Sequence, residues 1–121
     1  MNTLALAVLS IGLSVAAQFF LKAGMAGAEA KQLLALPMTL GIAFKVLSNG
    51  YVLIGFLLYG LGALAWLSVL SKWDVSKAYP LVGLGFALAV GIGLLTGEHI
   101  TAVRVIGVTL ICAGVWMVAS T

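Results

Sequence analysis

Four polar residues recur at every fourth position in an otherwise apolar stretch near the start of the sequence: Ser10, Ser14, Gln18 and Lys22. Residues four apart lie on the same face of an α-helix, so these side chains would form one continuous polar stripe. Hydroxyl and amide groups exchange hydrogen bonds, and an ammonium group attracts anions such as phosphate. The spacing therefore predicts a helix face that is directed toward protein or water rather than toward lipid.

The members of this stripe differ in how strongly they indicate function. An unpartnered amide costs free energy in hydrocarbon, so Gln18 indicates either a ligand contact or a hydrogen bond between helices. Ser10 and Ser14 have a simpler alternative, because small hydroxyl residues also bond to nearby carbonyls or allow close helix packing. Lys22 either extends from the helix end to the headgroups or places a cation where a lipid phosphate would bind.

The composition identifies the class of protein that carries the stripe. Of the 121 residues, 64% are hydrophobic and only 7% are charged, which excludes a water-soluble globule because too few charges exist to cover its surface. A spanning helix needs about 20 mainly apolar residues, and the segments that qualify are residues 3–21, 51–71, 78–95 and 102–119. The pattern has no period-2 alternation typical of a barrel. We predict an all-α integral membrane protein, a four-transmembrane-helix bundle formed by residues 1–121 as a single domain.

The polar breaks between these segments predict the connections. The second and third breaks are short, so neighbouring spans are expected to run antiparallel. The first break is longer, and Pro37 and Lys45 interrupt its apolar residues 31–49, which disfavours a fifth span. We predict an interfacial or partly re-entrant helix there. No Lys or Arg precedes the first apolar run, which favours a retained helix over a cleaved signal peptide.

The distribution of basic residues predicts the orientation in the membrane. Most of the cations fall on the side of the first and third breaks, and fewer fall on the side of the second break and both termini. The first group is Lys22, Lys31, Lys45 and Arg104, and the second is Lys72 and Lys77. Because cytoplasmic loops carry the excess of positive charge, we expect the first and third breaks to face the cytoplasm.

The third segment contains a second group of candidate residues. Its start, "AYPLVGLGF" at residues 78–86, combines Tyr79 and Pro80 with two glycines. Glycines remove side chains where backbones or ligands approach closely, although helix packing alone also accounts for them. Tyr79 is either part of the interfacial aromatic belt or a ligand contact. Cys112 is the single cysteine, which excludes an intramolecular disulfide and indicates neither a metal site nor a catalytic thiol.

Four stretches of the sequence resemble the small four-helix proteins of the drug/metabolite transporter superfamily. They are "SVAAQFFLKAGM", "SKAYPLVGLGFALAV", "GEHI" and "GVTLICAGVWMV". Two branches of that superfamily are candidates for the family of this chain. The small multidrug resistance family exchanges protons for cationic drugs, and the aminoarabinose-phosphoundecaprenol flippase subunits move a sugar-loaded lipid carrier across the bacterial inner membrane.

One position separates the two branches. The multidrug family depends on a glutamate in the middle of its first helix, and Ser14 occupies that place here. The acidic residues Glu29, Asp74 and Glu98 all fall in the breaks. The spans therefore lack a carboxylate that could bind protons and cations alternately.

The flippase subunits instead share two short motifs with this chain. The pattern "SVAxQ" is matched by Ser14, Val15, Ala16 and Gln18, and "AYP" is matched by residues 78–80. The resemblance implies a multi-pass transporter or flippase of the bacterial inner membrane, not an enzyme, with no cofactor, no metal and no nucleic acid. Its substrate would be a polyprenyl-phosphate-linked sugar of the aminoarabinose type or a similar lipid. The alternatives are a multidrug-type exporter of cationic compounds or small metabolites, and a non-transporting scaffold subunit.

The resemblance also implies which residues contact the lipid-linked substrate. The polyprenyl tail stays in the membrane lipids while the polar head crosses through a groove, whose expected lining is Ser10, Ser14, Gln18 and Tyr79. Cations would neutralise the phosphate at one face of the membrane or the other, and the candidates are Lys22, Lys77 and Arg104.

The fourth segment resembles the dimerisation helix of the multidrug family. One helix face along "GVTLICAGV", residues 107–115, would contain Gly107, Leu110, Ile111 and Gly114. We predict that this face forms a dimer interface, either in a homodimer or in a heterodimer with a related small membrane protein. Glycines that pack within one subunit are the alternative.

Overall fold

Helices form nearly all of the chain. The computed structural model describes residues 2–121, and its elements in chain order are α1 (Thr3–Met25), α2 (Ala28–Leu34), α3 (Leu40–Leu47), α4 (Gly50–Leu70), α5 (Val75–Ala78), a 3₁₀ turn (Tyr79–Val82), α6 (Gly83–Leu95) and α7 (Ala102–Ala119). The stretches long and apolar enough to cross a membrane are Thr3–Met25, Gly50–Leu70, Val75–Leu95 and Ala102–Ala119. The predicted all-α architecture with four spans is confirmed.

Polar residues in the breaks determine where the spans begin. The Asn2 side chain accepts a hydrogen bond from the Ala5 backbone N–H at 2.7 Å. The Asn49 side chain accepts one from the Tyr51 backbone N–H at 2.9 Å. These caps satisfy donors that the first helical turn leaves free. The first span also continues past residue 21 to Met25, because Lys22 is compatible with a helix.

The first break forms two short helices rather than one. α2 has 7 residues and α3 has 8, so each rises only about 10–12 Å, well short of the roughly 30 Å hydrocarbon core. Pro37 lies in the connection between them, where it removes a backbone donor that a continuous helix would need. Within residues 40–47 no side chain is buried. The prediction of a single helix in this break is therefore corrected to two.

The spans alternate in direction, which gives the bundle two ends. Side A is the end where α1 begins and α7 ends, and side B is the end where α1 ends and α7 begins. The α1 and α4 helices pack antiparallel, because Gly62 lies beside Ser10 while Gly55 lies beside Ala17 and Leu21. Glycine allows this close approach of the two backbones.

The α6 helix packs on α1 in the same direction and leads the chain to α7. Gly85 of α6 lies beside Ile11 and Val15. The same two residues form a buried cluster with Leu81 and Val115. One part of the core therefore lies where α1, α7 and the 3₁₀ turn before α6 meet.

The α7 helix is the least covered of the spans. Of its residues 102–119, Val115 alone is buried. Only 6% of its residues are buried, whereas 28% are buried in the most apolar 18 residues of α1. Most of the α7 surface is therefore directed away from the rest of the chain.

Candidate functional site

A groove of about 410 Å³ lies between α1, α4 and α6. Its lining includes Ser10, Ser14 and Gln18 from α1, Tyr59 and Trp66 from α4, and Gly85 and Phe86 from α6. The polar groups are concentrated where α1 faces α4, and most of the other lining residues are apolar or aromatic. The predicted polar stripe thus lies in a groove, except for its last member, Lys22.

Gln18 forms a hydrogen bond across the groove to Tyr59, a residue that the sequence pattern does not indicate. Its side-chain Nε2 donates to the hydroxyl of Tyr59 on α4. Among residues 2–121 the two side chains form no other hydrogen bond. Because an amide has two donors and an acceptor, and a hydroxyl is both donor and acceptor, the pair retains capacity for a ligand.

The two serines of the stripe have different environments. The hydroxyl of Ser10 is buried and donates to the Gly62 carbonyl oxygen at 2.7 Å. Its proton is therefore committed to the contact between α1 and α4. Ser14 is half-buried, one turn farther along the groove, and its hydroxyl has no hydrogen-bond partner within residues 2–121. Of the two serines, Ser14 is the one whose hydroxyl a ligand can use.

Tyr79, which the sequence predicts as a substrate contact, lies outside this groove. It is 68% exposed and belongs to the 3₁₀ turn that precedes α6. That position is one turn closer to side A than Val82, which does line the groove. The tyrosine that lines the groove is Tyr59.

The candidate cations lie at the two ends of the bundle. At side B, Lys22 Nζ forms an ion pair with Glu98 Oε2 at 3.1 Å, and Arg104 Nη1 donates to the His99 carbonyl oxygen at 3.2 Å. At side A, Lys77 Nζ lies 4.6 Å from the centre of the Trp73 ring, a cation–π distance. The described residues that line the groove carry no charge.

Comparisons with known proteins place the chain in a family. No family model and no solved structure matches it. Over 78 residues, 64% of this chain and 68% of the relative, it is 33% identical to the probable 4-amino-4-deoxy-L-arabinose-phosphoundecaprenol flippase subunit ArnE of Pseudomonas fluorescens. The chain belongs to the ArnE family.

A second ArnE relative is similar over a shorter stretch. The probable flippase subunit ArnE of Pseudomonas savastanoi pv. phaseolicola is 41% identical over 58 residues, 47% of this chain and 51% of that protein. This match therefore spans about half the length of the relative. Membership of the ArnE family confirms the predicted resemblance and favours the flippase branch over the multidrug branch. It also assigns the chain to transport rather than enzyme catalysis, and to the bacterial inner membrane as a multi-pass protein.

The α7 face of this ArnE-family chain is open along most of its length. A Cβ atom added at Gly107 or Gly114 would have no neighbour within 4 Å in the described part of the chain, and Leu110 is 68% exposed. Ile111 differs, because its Cγ2 lies 2.8 Å from the position that a Cβ at Gly83 would occupy. Ile111 thus packs partly within the subunit, while the other three residues of the predicted interface face outward.

The contribution of α4 to the groove is not predicted from the sequence. Tyr59 and Trp66 are both lining residues, and each carries a polar atom within an apolar span. The same argument that singles out Gln18 applies to them, because a polar atom in a span needs a partner. Among residues 2–121, no group of three or more His, Cys, Asp or Glu side chains could hold a metal ion.

Proposed function

We propose that this ArnE-family chain is a subunit of a flippase that moves a polyprenyl-phosphate-linked sugar of the aminoarabinose type across the bacterial inner membrane. The observation that supports it most directly is the groove, where Ser14, Gln18 and Tyr59 form a polar patch inside otherwise apolar and aromatic walls. A sugar has many hydroxyl groups, which lose their water when they enter a membrane. Hydrogen bonds to these three side chains would replace part of that hydration.

The distribution of charge suggests how the rest of the lipid is held. Since no charged side chain is among the described lining residues, the groove suits the uncharged hydroxyls of the sugar better than the phosphate. The phosphate would instead meet Lys22 or Arg104 at side B and Lys77 at side A. The polyprenyl tail remains in the bilayer throughout, because moving it into a polar environment would cost free energy.

The relatives are named as subunits, and the shape of this chain supports assembly with a second chain. The outward face of α7 includes Gly107, Leu110 and Gly114, with Ile111 at its edge. Small residues allow close approach of two helices in a membrane. We place the interface on this face, and the second chain is either another copy or a related small membrane protein.

The basic residues support an orientation with side B in the cytoplasm. The α1 end, the first break and the start of α7 carry Lys22, Lys31, Lys45 and Arg104, whereas side A carries Lys72 and Lys77. This excess of Lys and Arg at side B fits the positive-inside bias.

The proposed function is tested by Gln18→Leu. Leucine has a similar volume and inserts into the membrane at least as well, so we expect normal expression and assembly. Transport of the lipid-linked aminoarabinose in reconstituted vesicles should fall to background, because the groove loses its central hydrogen-bonding group. Gln32→Leu is the matched control, since Gln32 is an exposed residue of α2 outside the groove.

Two results would contradict this role for Gln18. Full transport with normal assembly would leave the polar groove without function. Loss of assembly or expression would show that the bond to Tyr59 holds α1 and α4 together and that the amide is structural.

A further inference from the structure

An ion pair joins the end of α1 to the connection between α6 and α7. Lys22 Nζ and Glu98 Oε2 are 3.1 Å apart, and the two side chains are 64% and 34% exposed. Within residues 2–121 this is the one contact between opposite charges at 4.0 Å or less. Both groups are therefore partly accessible and already paired with the opposite charge.

The backbone around Glu98 holds its carboxylate in place. The Glu98 N–H donates to the Gly93 carbonyl oxygen at 2.8 Å, and the Gly97 N–H donates to the Leu94 carbonyl oxygen at 3.4 Å. Gly97 has a φ of 86°, and together these features form a Schellman motif that ends α6. The Glu98 Oε1 atom lies 3.2 Å from the position that a Cβ at Gly93 would occupy. The turn thus directs the carboxylate back over α6 toward α1.

The ion pair lies at the side-B end of the groove. Lys22 follows the lining residue Gln18 by one helical turn, and Gly93 follows the lining residue Ala89 by one helical turn. Because α1 and α6 both run toward side B, the pair crosses from one helix to the other just beyond the groove. The pair therefore lies beside the side-B end of the groove, where a headgroup could contact it.

We propose that Glu98 recognises the ammonium group of an amino-sugar phosphate headgroup, which takes the place of the Lys22–Glu98 ion pair. This inference rests on the proposed function. The lipid named for the relatives carries an amino group on its sugar and a phosphate that links the sugar to the polyprenyl chain. The phosphate would pair with Lys22 and the ammonium with Glu98.

The exchange keeps both protein charges compensated. When Lys22 and Glu98 separate, each receives a ligand charge of the sign that it loses, so no group at the groove end is left unpaired. A phosphate that carries an uncharged sugar would compensate the charge of Lys22 alone. It would leave the Glu98 carboxylate without a cation. The amino sugar would form a charge-assisted hydrogen bond with the Glu98 carboxylate that the neutral sugar does not form, and this difference gives discrimination in favour of the amino sugar.

The test compares two lipids in vesicles that contain the full chain and any subunit that copurifies with it. One lipid is 4-amino-4-deoxy-L-arabinose-phosphoundecaprenol, and the other has a hydroxyl group in place of the amine. We expect the unmodified protein to move the amino lipid about tenfold faster, the ratio expected from one charge-assisted hydrogen bond. Glu98→Gln should bring this ratio close to one without slowing the hydroxyl lipid.

The partner of Glu98 provides a second, opposite signature. Lys22→Gln removes the phosphate partner, so both lipids should move more slowly while the preference for the amino lipid remains. A merely structural ion pair would instead make the two variants behave alike. Glu29→Gln is the control, because Glu29 is an exposed acid at the same side that lies outside the groove, and it should change neither rate.

The outcomes separate this inference from the function on which it rests. Equal rates for both lipids in the unmodified protein, a preference that survives Glu98→Gln, or a preference lost in Lys22→Gln would each overturn the role of Glu98 and leave the flippase proposal standing. Failure of the unmodified protein to move either lipid would overturn the flippase proposal, and the role of Glu98 with it.

Discussion

Two sets of glycines in this protein have opposite environments. In the contact between α1 and α4, a Cβ atom at Gly55 would lie 2.8 Å from two carbons of the Leu21 side chain and 3.2 Å from the Ala17 carbonyl oxygen. On α7, a Cβ atom at Gly107 or Gly114 would have no atom of residues 2–121 within 4 Å. Glycine is thus required for the close contact between α1 and α4, whereas the glycines of α7 face open space.

The difference shows which helix contacts the chain completes by itself. The α1–α4 contact is closed, and it holds Gln18 against Tyr59 and so forms the polar side of the groove. The α7 face has small residues but no close neighbour among residues 2–121, although small residues in membranes mark places where helices approach closely. We infer that the first set of glycines serves folding of the subunit and the second serves assembly.

The largest effect is expected from Gly55→Leu. The new side chain would collide with Leu21 and with the α1 backbone, and overpacking of this kind lowers the free energy of unfolding by about 1–3 kcal/mol. Gly60→Leu is the control on the same helix, because a Cβ there has no neighbour within 4 Å. Thermal unfolding in detergent, followed by circular dichroism, should show a lower midpoint for Gly55→Leu alone. Equal unfolding midpoints for Gly55→Leu and Gly60→Leu would show that a glycine in the α1–α4 contact is no more necessary than one that faces open space.

The next effect concerns assembly rather than folding. Replacing Gly107 and Gly114 together with leucine should leave the midpoint of unfolding of the monomer nearly unchanged, because both positions are open within the subunit. The bulky side chains should separate the assembled chains, which light scattering in detergent would report as a monomer. Gly91→Leu is the control, since Gly91 is also open but lies on α6. An oligomer that persists in the double variant would exclude this face as the interface.

The smallest effect on stability is expected from the serines of the groove. Ser10→Ala removes the hydrogen bond to the Gly62 carbonyl oxygen and should lower the free energy of unfolding by about 0.6 kcal/mol, the average for such bonds in membranes. Ser14→Ala removes no hydrogen bond within residues 2–121 and should leave stability unchanged. If Ser14 binds substrate, transport should fall in Ser14→Ala more than in Ser10→Ala, and the reverse order would reassign the two hydroxyls.

Much of the architecture follows from local sequence properties. The length of each apolar run predicts a span, because the thickness of the bilayer sets how many residues are needed. The period of four in Ser10, Ser14 and Gln18 predicts a shared face, and the three residues do line one groove. These are short-range features, which helical geometry alone determines.

The remaining features depend on contacts between distant parts of the chain. Periodicity does not show which face of α4 meets α1, so Tyr59 is missed as the partner of Gln18. The Schellman turn directs Glu98 toward Lys22, but predicting this contact requires the relative position of α1 and α6. Tyr79 lies outside the groove for a related reason, because it begins the 3₁₀ turn, one turn nearer side A than the lining residue Val82.

The most direct test of the groove is protection of one engineered thiol. In a background where the single cysteine is removed by Cys112→Ser, Ser14→Cys is reacted with N-ethylmaleimide in vesicles with and without lipid-linked aminoarabinose. Gly91→Cys, which is open and outside the groove, serves as the reference. A substrate headgroup in the groove predicts that the lipid slows modification at position 14 and leaves position 91 unaffected. Equal modification of Ser14→Cys with and without the lipid, in vesicles that transport it, would contradict the proposal that the headgroup crosses between α1, α4 and α6.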